Sequence, residues 1–172
     1  MIKTPEQKQF YEQATKNILA RVNALNLPKD QKQKAVHFVT LFREAFTKEE
    51  VKKATFTDKD NQMWDLGYDS GGFCRVASIT FVIVMGNISD WQLMAIDREQ
   101  WEGDMSHHWL KHKPSGKVLD ITYDQFAIDG FTVPYNLGQK AAYNLSLQDE
   151  THKFAKSIGI DLLKELMRTK DK

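Results

Sequence analysis

The chain has a single cysteine, Cys74, within the segment GGFCRVAS. A cysteine is a nucleophile only as the thiolate, and its ordinary pKa of about 8.5 leaves little of it ionised at neutral pH. The positive end of a helix and an adjacent imidazole both favour the ionised form. Gly71 and Gly72 permit a tight turn onto a helix that would begin near the thiol. The segment therefore allows an activated cysteine, although free cysteines are also among the residues most often buried.

Two histidines and an aspartate follow downstream, His107 and His108 in HHWLKH and Asp120 in KVLDIT. The intervening KPSG is a turn signal and predicts an antiparallel hairpin of strands 107–112 and 117–122. Such a hairpin places Asp120 close to His107 or His108 across the ladder. Successive strand residues point to opposite faces, so only one of the two histidines is expected to face the thiol, and alternation selects neither. The three residue types fit a nucleophile, its base and an acid that orients the base.

Taken together, GGFCRVAS, HHWL and GKVLDITYDQF resemble the core of the transglutaminase-like and papain-like cysteine superfamily, over about residues 62–126. The similarity is greatest to small bacterial members with a His-x-Trp strand. The resemblance implies a helix that begins with the cysteine and packs on an antiparallel sheet. It also implies that Cys74 is the nucleophile, His107 the base and Asp120 the orienting acid, with His108 as the alternative base.

Residues that could line the cleft or bind the oxyanion are less well defined. The resemblance implies that the Cys74 backbone amide meets the oxyanion together with an upstream donor, and Gln62 is the nearest glutamine. The segment 55–70 is polar, aromatic and interrupted by glycine, which predicts a long loop of the kind that often carries function. Its Trp64 and Tyr68 are candidates to line a cleft, as is Trp109 of the His-x-Trp segment.

These residues predict a cysteine-dependent hydrolase or acyltransferase that acts on an amide, ester or thioester bond. Peptide hydrolysis, amide hydrolysis, side-chain deamidation and transglutaminase-like transfer all stay open, with a protein or peptide-like substrate and no cofactor. The alternative is a non-catalytic binding module, for instance a bacterial or phage protein that retains the papain-like fold, because function belongs to the site and not to the fold.

Metal and nucleotide chemistry are not predicted. The cysteine and three nearby histidines suggest zinc, yet the spacing of His108 and His112 suits a helix, whereas their segment predicts a strand. The chain has no second cysteine, no His-Glu-x-x-His motif and no glycine-rich phosphate loop.

The surrounding elements predict an α+β fold with helices on both sides of the cysteine–histidine core in sequence. We predict helices over 5–26, 30–46 and, after a capping box formed by Thr47 and Glu50, a short third helix to about 54; a buried helix over 73–85 that ends near Gly86; strands at 91–97, 107–112 and 117–122; an irregular stretch over 127–138; and a last helix over 149–169. The expected organisation is one domain over 1–172, with a helical part at 1–54, a core at about 62–138 and a C-terminal helix.

Composition limits the possible partners. Lys and Arg total 24 against 23 for Asp and Glu, a formal net charge of +1, which favours neither nucleic acid nor an anionic membrane. One cysteine cannot form an internal disulfide, which is typical of a reducing compartment. The polar N-terminus has no apolar signal core, and ITFVIVM at 79–85 is too short to span a bilayer. We therefore expect a cytoplasmic protein, and the sequence does not indicate its oligomeric state.

Overall fold

The structure is a computed structural model and describes residues 4–56, 69–103, 105–146 and 149–170. Within these ranges the chain forms seven α-helices and a four-stranded antiparallel sheet, so the predicted α+β class is confirmed. The helices are α1 (Pro5–Asn23), α2 (Lys29–Phe46), α3 (Glu49–Thr55), α4 (Cys74–Met85), α5 (Asp124–Ala127), α6 (Glu150–Ser157) and α7 (Leu162–Lys170). The strands are β1 (Trp91–Ile96), β2 (His107–His112), β3 (Val118–Leu119) and β4 (Gln139–Lys140).

The sheet has the strand order β3-β2-β1-β4, and every neighbouring pair is antiparallel. β1 and β2 pair over their full length, with Ile96 opposite His107. The predicted hairpin forms, since β2 also pairs with β3, where Leu110 lies opposite Leu119. β3 is shorter than predicted, and Asp120 follows immediately after its end.

The two faces of the sheet contact different hydrophobic clusters. On one face, Leu93 and Leu110 belong to the main cluster, which also contains most of α4 and residues of α1, α2 and α6. On the other face, Ile96 and Trp109 form a smaller cluster with Phe126, from α5. β2 is therefore packed between α4 on one side and the segment after β3 on the other.

The helix that begins with the cysteine is the centre of the main cluster. Its sequence is rich in β-branched residues, yet it is helical, and every residue from Val76 to Met85 is buried. A helix that is apolar on all sides must be covered on all sides, and α4 contacts α2, α6, α7 and β2. It ends where predicted, at Gly86, whose φ of 78° is a left-handed conformation that glycine adopts readily. Like the other helices of the described residues, α4 does not meet the length and apolarity that crossing a membrane requires.

Three details of the predicted elements differ from the structure. Thr47 does not cap α3, because its hydroxyl donates to the Glu44 carbonyl at the end of α2, and the residue that precedes α3 is Lys48. The single helix predicted over 149–169 is two helices, since the chain turns at Gly159 with a φ of 78°. α5 and β4 have only four and two residues, too few for a hydrophobic repeat to show.

Candidate active site

Cys74 is the first residue of α4, and packing of the residue before it fixes the start of the helix. Phe73 is fully buried, with its ring centroid 4.9 Å from that of Phe56. The Phe73 N–H donates to the Ser70 carbonyl, which closes a turn that passes through Gly72 at a φ of 78°. A side chain at Gly72 would also contact the Phe56 ring. The turn therefore holds a partly exposed sulfur at the N-terminal end of a buried helix.

His107 and Asp120 form a fully buried pair, each with 0% of its surface exposed. Nε2 of His107 donates to Oδ2 of Asp120 over 2.6 Å. The same oxygen accepts the Tyr135 hydroxyl at 3.0 Å, and Oδ1 accepts the Thr122 backbone N–H at 3.0 Å. An ionised carboxylate accepts at both oxygens and donates nowhere, so it matches these donors. The structure thus places Asp120 against His107 and not against His108.

The remaining contacts of the His107 ring fix its orientation. The Gln125 amide nitrogen lies 3.4 Å from Nδ1. The Phe126 ring meets the imidazole edge to face, with centroids 4.7 Å apart, and the Trp109 ring lies 5.8 Å away. The imidazole is therefore enclosed on the face of the sheet that carries the smaller cluster.

Both histidines nevertheless affect the thiol. Sγ of Cys74 lies 4.0 Å from Nδ1 of His108, and His107 is near enough to lower the pKa of Cys74 as well. Alternation holds along β2, because His108 shares a face with Leu110 whereas His107 shares the opposite face with Trp109. The sulfur lies beside the end of β2, where His107 is the first residue, so the alternation of faces does not determine which histidine acts on the thiol.

Charge and hydrogen bonding have a larger effect than burial on the pKa values of these groups. Burial alone would raise the pKa of the Cys74 thiol, but hydrogen bonds and electrostatic interactions with His107 and His108 lower it to about 6. Burial alone would lower the pKa of His107, but the charge and hydrogen bond of Asp120, then those of Cys74, raise it to about 10. Burial would likewise raise the pKa of Asp120, and His107, Thr122 and Tyr135 together hold it below its usual range. Both shifts favour a thiolate on Cys74 and a protonated imidazole on His107 at neutral pH.

A buried ion pair connects this site to the N-terminal helices. Arg43 of α2 donates to both carboxylate oxygens of Asp124, at 2.6 and 3.2 Å, and to the Ile121 carbonyl at 3.1 Å. Ser70 donates its hydroxyl to the same carboxylate at 2.9 Å. Asp124 precedes Gln125 on α5, so the ion pair holds both the turn before the nucleophile and the amide beside His107.

Several supporting residues were not assigned a role from the sequence. Thr122, Asp124 and Gln125 lie within the DITYDQF segment that carries part of the resemblance, so their neighbourhood was visible. Tyr135 lies in the stretch predicted to be irregular, and no pattern there indicates a partner for Asp120. Arg43 occupies a buried position of an amphipathic helix, which is the one local sign of a buried charge.

Of the remaining predicted site residues, the structure describes only Trp109. Trp109 is only 1% exposed and packs against Tyr135 and Gly138, so it supports the site from the core and does not line a cleft. Gln62, Trp64 and Tyr68 lie outside the described residues. Within the described ranges, no group of three or more His, Cys, Asp or Glu side chains is arranged to hold a metal ion.

Comparisons of the chain with protein-family models, with curated proteins and with solved structures gave no match.

Proposed function

We propose that this protein is a cysteine-dependent hydrolase or acyltransferase that acts on an amide, ester or thioester bond. One observation carries the proposal. A partly exposed cysteine is the first residue of a helix, and its sulfur lies 4.0 Å from Nδ1 of His108 at the end of β2, where Nε2 of His107 donates over 2.6 Å to a fully buried carboxylate. Nucleophile, base and orienting acid are the three groups that covalent thiol catalysis requires, and in this proposal they are Cys74, His107 and Asp120.

In the proposed mechanism the Cys74 thiolate attacks the carbonyl carbon of the substrate. The amides in the first turn of a helix have no partner within the helix, and they carry the positive end of its dipole. The Cys74 backbone N–H at the start of α4 therefore supports oxyanion binding there. Collapse of the tetrahedral intermediate re-forms the carbonyl and breaks the bond to the leaving group, which departs as an amine or alcohol with the proton held by His107, or as a thiolate, and an acyl-enzyme results. Water or an amine then accepts the acyl group.

The papain-like or transglutaminase-like core belongs to this proposal. It is supported by the chain order Cys74, His107, Asp120, and by a helix that begins with the cysteine and packs against an antiparallel sheet. By that resemblance the substrate is a protein or peptide-like molecule and no cofactor takes part. The formal charge of +1 supports neither a nucleic acid nor a membrane as partner.

The pH dependence of alkylation by iodoacetamide tests the proposal without any substrate. Only the thiolate reacts, so the rate in the native protein should rise through a midpoint near pH 6, the pKa of the activated thiol. The same protein in urea should show the midpoint of a free thiol, about 8.5. His107→Gln should move the native midpoint toward that value, whereas His37→Gln, on the exposed side of α2, should leave it unchanged.

A protein whose thiol is not activated should give a different result. A thiol that is inert in the native protein from pH 5 to 8, and reacts only after unfolding, would refute the enzyme and leave a binding module. Urea denaturation of each variant shows whether a lost reaction reflects lost chemistry or a lost fold.

A further inference from the structure

His107 has no contact with the solvent from which an acyl acceptor would arrive. Its exposed fraction is 0%, its Nε2 is bonded to Asp120, and its Nδ1 lies 3.4 Å from the Gln125 amide nitrogen. Phe126 and Trp109 enclose the ring. A general base must lie within hydrogen-bonding reach of the proton it removes, so His107 is poorly placed to act on water.

His108 has the opposite properties. It is partly exposed, its Nδ1 lies 4.0 Å from Sγ, and its side chain leaves the opposite face of β2. An atom bonded to the sulfur would therefore lie beside this nitrogen. A water held about 3 Å from Nδ1, the usual distance for proton transfer to a base, would be next to the carbonyl carbon of an acyl group on Cys74.

We propose, on the basis of the function proposed above, that the two imidazoles divide the reaction between them. His107, oriented by Asp120, forms the thiolate, and His108 is a second catalytic residue that activates the acyl acceptor in the release step.

The release step balances as follows. The unprotonated Nδ1 of His108 takes a proton from water while the water oxygen forms a bond to the thioester carbonyl carbon, and the carbonyl electron pair moves to its oxygen. The tetrahedral intermediate then re-forms the carbonyl and breaks the carbon–sulfur bond, with the electron pair leaving on Cys74. The products are a carboxylic acid, the Cys74 thiolate and a protonated His108, which returns its proton to solvent.

The protonation state of His107 supports this division. Asp120 is the largest favourable cause of its raised pKa of about 10, and Cys74 contributes less. Acylation removes the charge of the thiolate but leaves that of Asp120. Asp120 therefore continues to favour the protonated form of His107 in the acyl-enzyme, and in that form the imidazole has no lone pair to accept a proton from water.

The test uses an acyl-enzyme made without knowledge of the substrate. Because Cys74 is the only cysteine, S-phenyl thioacetate should acetylate one thiol in the native protein, and hydroxylamine separates this thioester from any lysine amide. After removal of the reagent, intact mass follows the loss of the acetyl group. In His108→Gln the acetyl group should still form, although more slowly because His108 also lowers the pKa of the thiol. It should then be lost at least about 100-fold more slowly than in the wild type, the usual lower limit for removal of a general base.

Two further variants make the result decisive. His37→Gln, an exposed histidine on α2, should release the acetyl group at the wild-type rate. In His108→Ala, added imidazole should restore the rate, because it supplies the missing base. If added imidazole does not restore the rate, His108 contributes through packing and not as a base, and the proposal is overturned.

The outcomes separate the two proposals. A thioester that lasts equally long in the wild type and in His108→Gln overturns the role of His108 alone. Loss of the acetylation step itself in His108→Gln also overturns it, because His108 would then be the base that forms the thiolate. A native wild-type thiol that resists acetylation counts against the enzyme proposal, together with this one.

Discussion

Asp120→Asn replaces one oxygen of a buried carboxylate with an amide nitrogen and keeps the size of the side chain. In the wild type, Oδ2 accepts from His107 and Tyr135 while Oδ1 accepts from the Thr122 N–H. If the amide oxygen faces His107, the amide nitrogen opposes the Thr122 N–H; if the amide is flipped, the nitrogen opposes His107. No orientation satisfies all the donors, so the change should cost about 1–3 kcal/mol of stability.

Asp120→Asn should affect the reactivity of the thiol more than the stability of the protein. Without the charge of Asp120, burial lowers the pKa of His107, and a neutral imidazole no longer stabilises the thiolate. We expect the pKa of Cys74 to rise from about 6 to about 8 or above. At pH 6 the ionised fraction then falls from roughly one half to about 1%, a loss of roughly 50-fold. A more basic thiolate is a better nucleophile, with a Brønsted slope of about 0.4–0.5, which reduces the expected loss of alkylation rate to roughly 5- to 8-fold.

Two measurements check this prediction. Iodoacetamide rates from pH 5 to 9 should give a midpoint about two units higher in Asp120→Asn than in the wild type. Urea denaturation should give the loss of stability in the same variant. Asp30→Asn makes the same chemical change at an exposed position of α2 and should leave the alkylation midpoint unchanged. If the folded Asp120→Asn variant keeps a midpoint near pH 6, Asp120 does not control the thiol, and the assignment of the triad is wrong.

Three further predictions concern the elements that support the site. Arg43→Met leaves Asp124 as a buried carboxylate without its cation, and urea denaturation should show a loss of about 3–5 kcal/mol. Gly138→Ala places a methyl group into the Trp109 ring and should cost about 1–3 kcal/mol by the same measurement. Asp149→Ala removes the side chain that accepts a backbone N–H at the start of α6, with an expected cost of about 1 kcal/mol. Burial would raise the pKa of Asp149, but hydrogen bonds from Thr151 and the Arg75 guanidinium lower it. The stabilisation that the Asp149 carboxylate provides is therefore present above the unfolded pKa of about 3.9 and is lost as the pH falls through the lower folded value. The stability difference between this variant and the wild type should therefore narrow below about pH 4.

The pattern of the sequence was sufficient for the elements that recur at a regular spacing. Helical spacing located α1 and α2 to within a few residues, and the turn signal KPSG located the hairpin. The helix at Cys74 was the hardest of these, because a run of β-branched residues also suits a buried strand. Its length and the small residues Ala77 and Ser78 favoured a helix, which the structure has.

The details of the site could not be predicted, because they depend on contacts between segments that are far apart in the sequence. Alternation along β2 correctly separates His107 from His108, but it says nothing of where the sulfur lies relative to the strand end. Only the packing of α4 against β2 determines that the His108 ring lies 4.0 Å from the sulfur and that His107 also lowers the pKa of Cys74. The hydrogen bond from Tyr135 to Asp120 likewise requires an irregular segment to fold back, and no periodic pattern describes such a segment.

The ion pair of Arg43 has a consequence for the modularity of the chain. The residues that resemble a cysteine-enzyme core begin at about residue 62, yet one of their buried carboxylates has its cation on α2. A chain trimmed to the core would keep Asp124 and lose Arg43, and an uncompensated buried charge is among the most destabilising changes in a protein. Removal of the N-terminal helices is therefore expected to destabilise the rest of the chain. Truncation, domain transplantation or recombination at a boundary between residues 46 and 69 would separate Arg43 from Asp124.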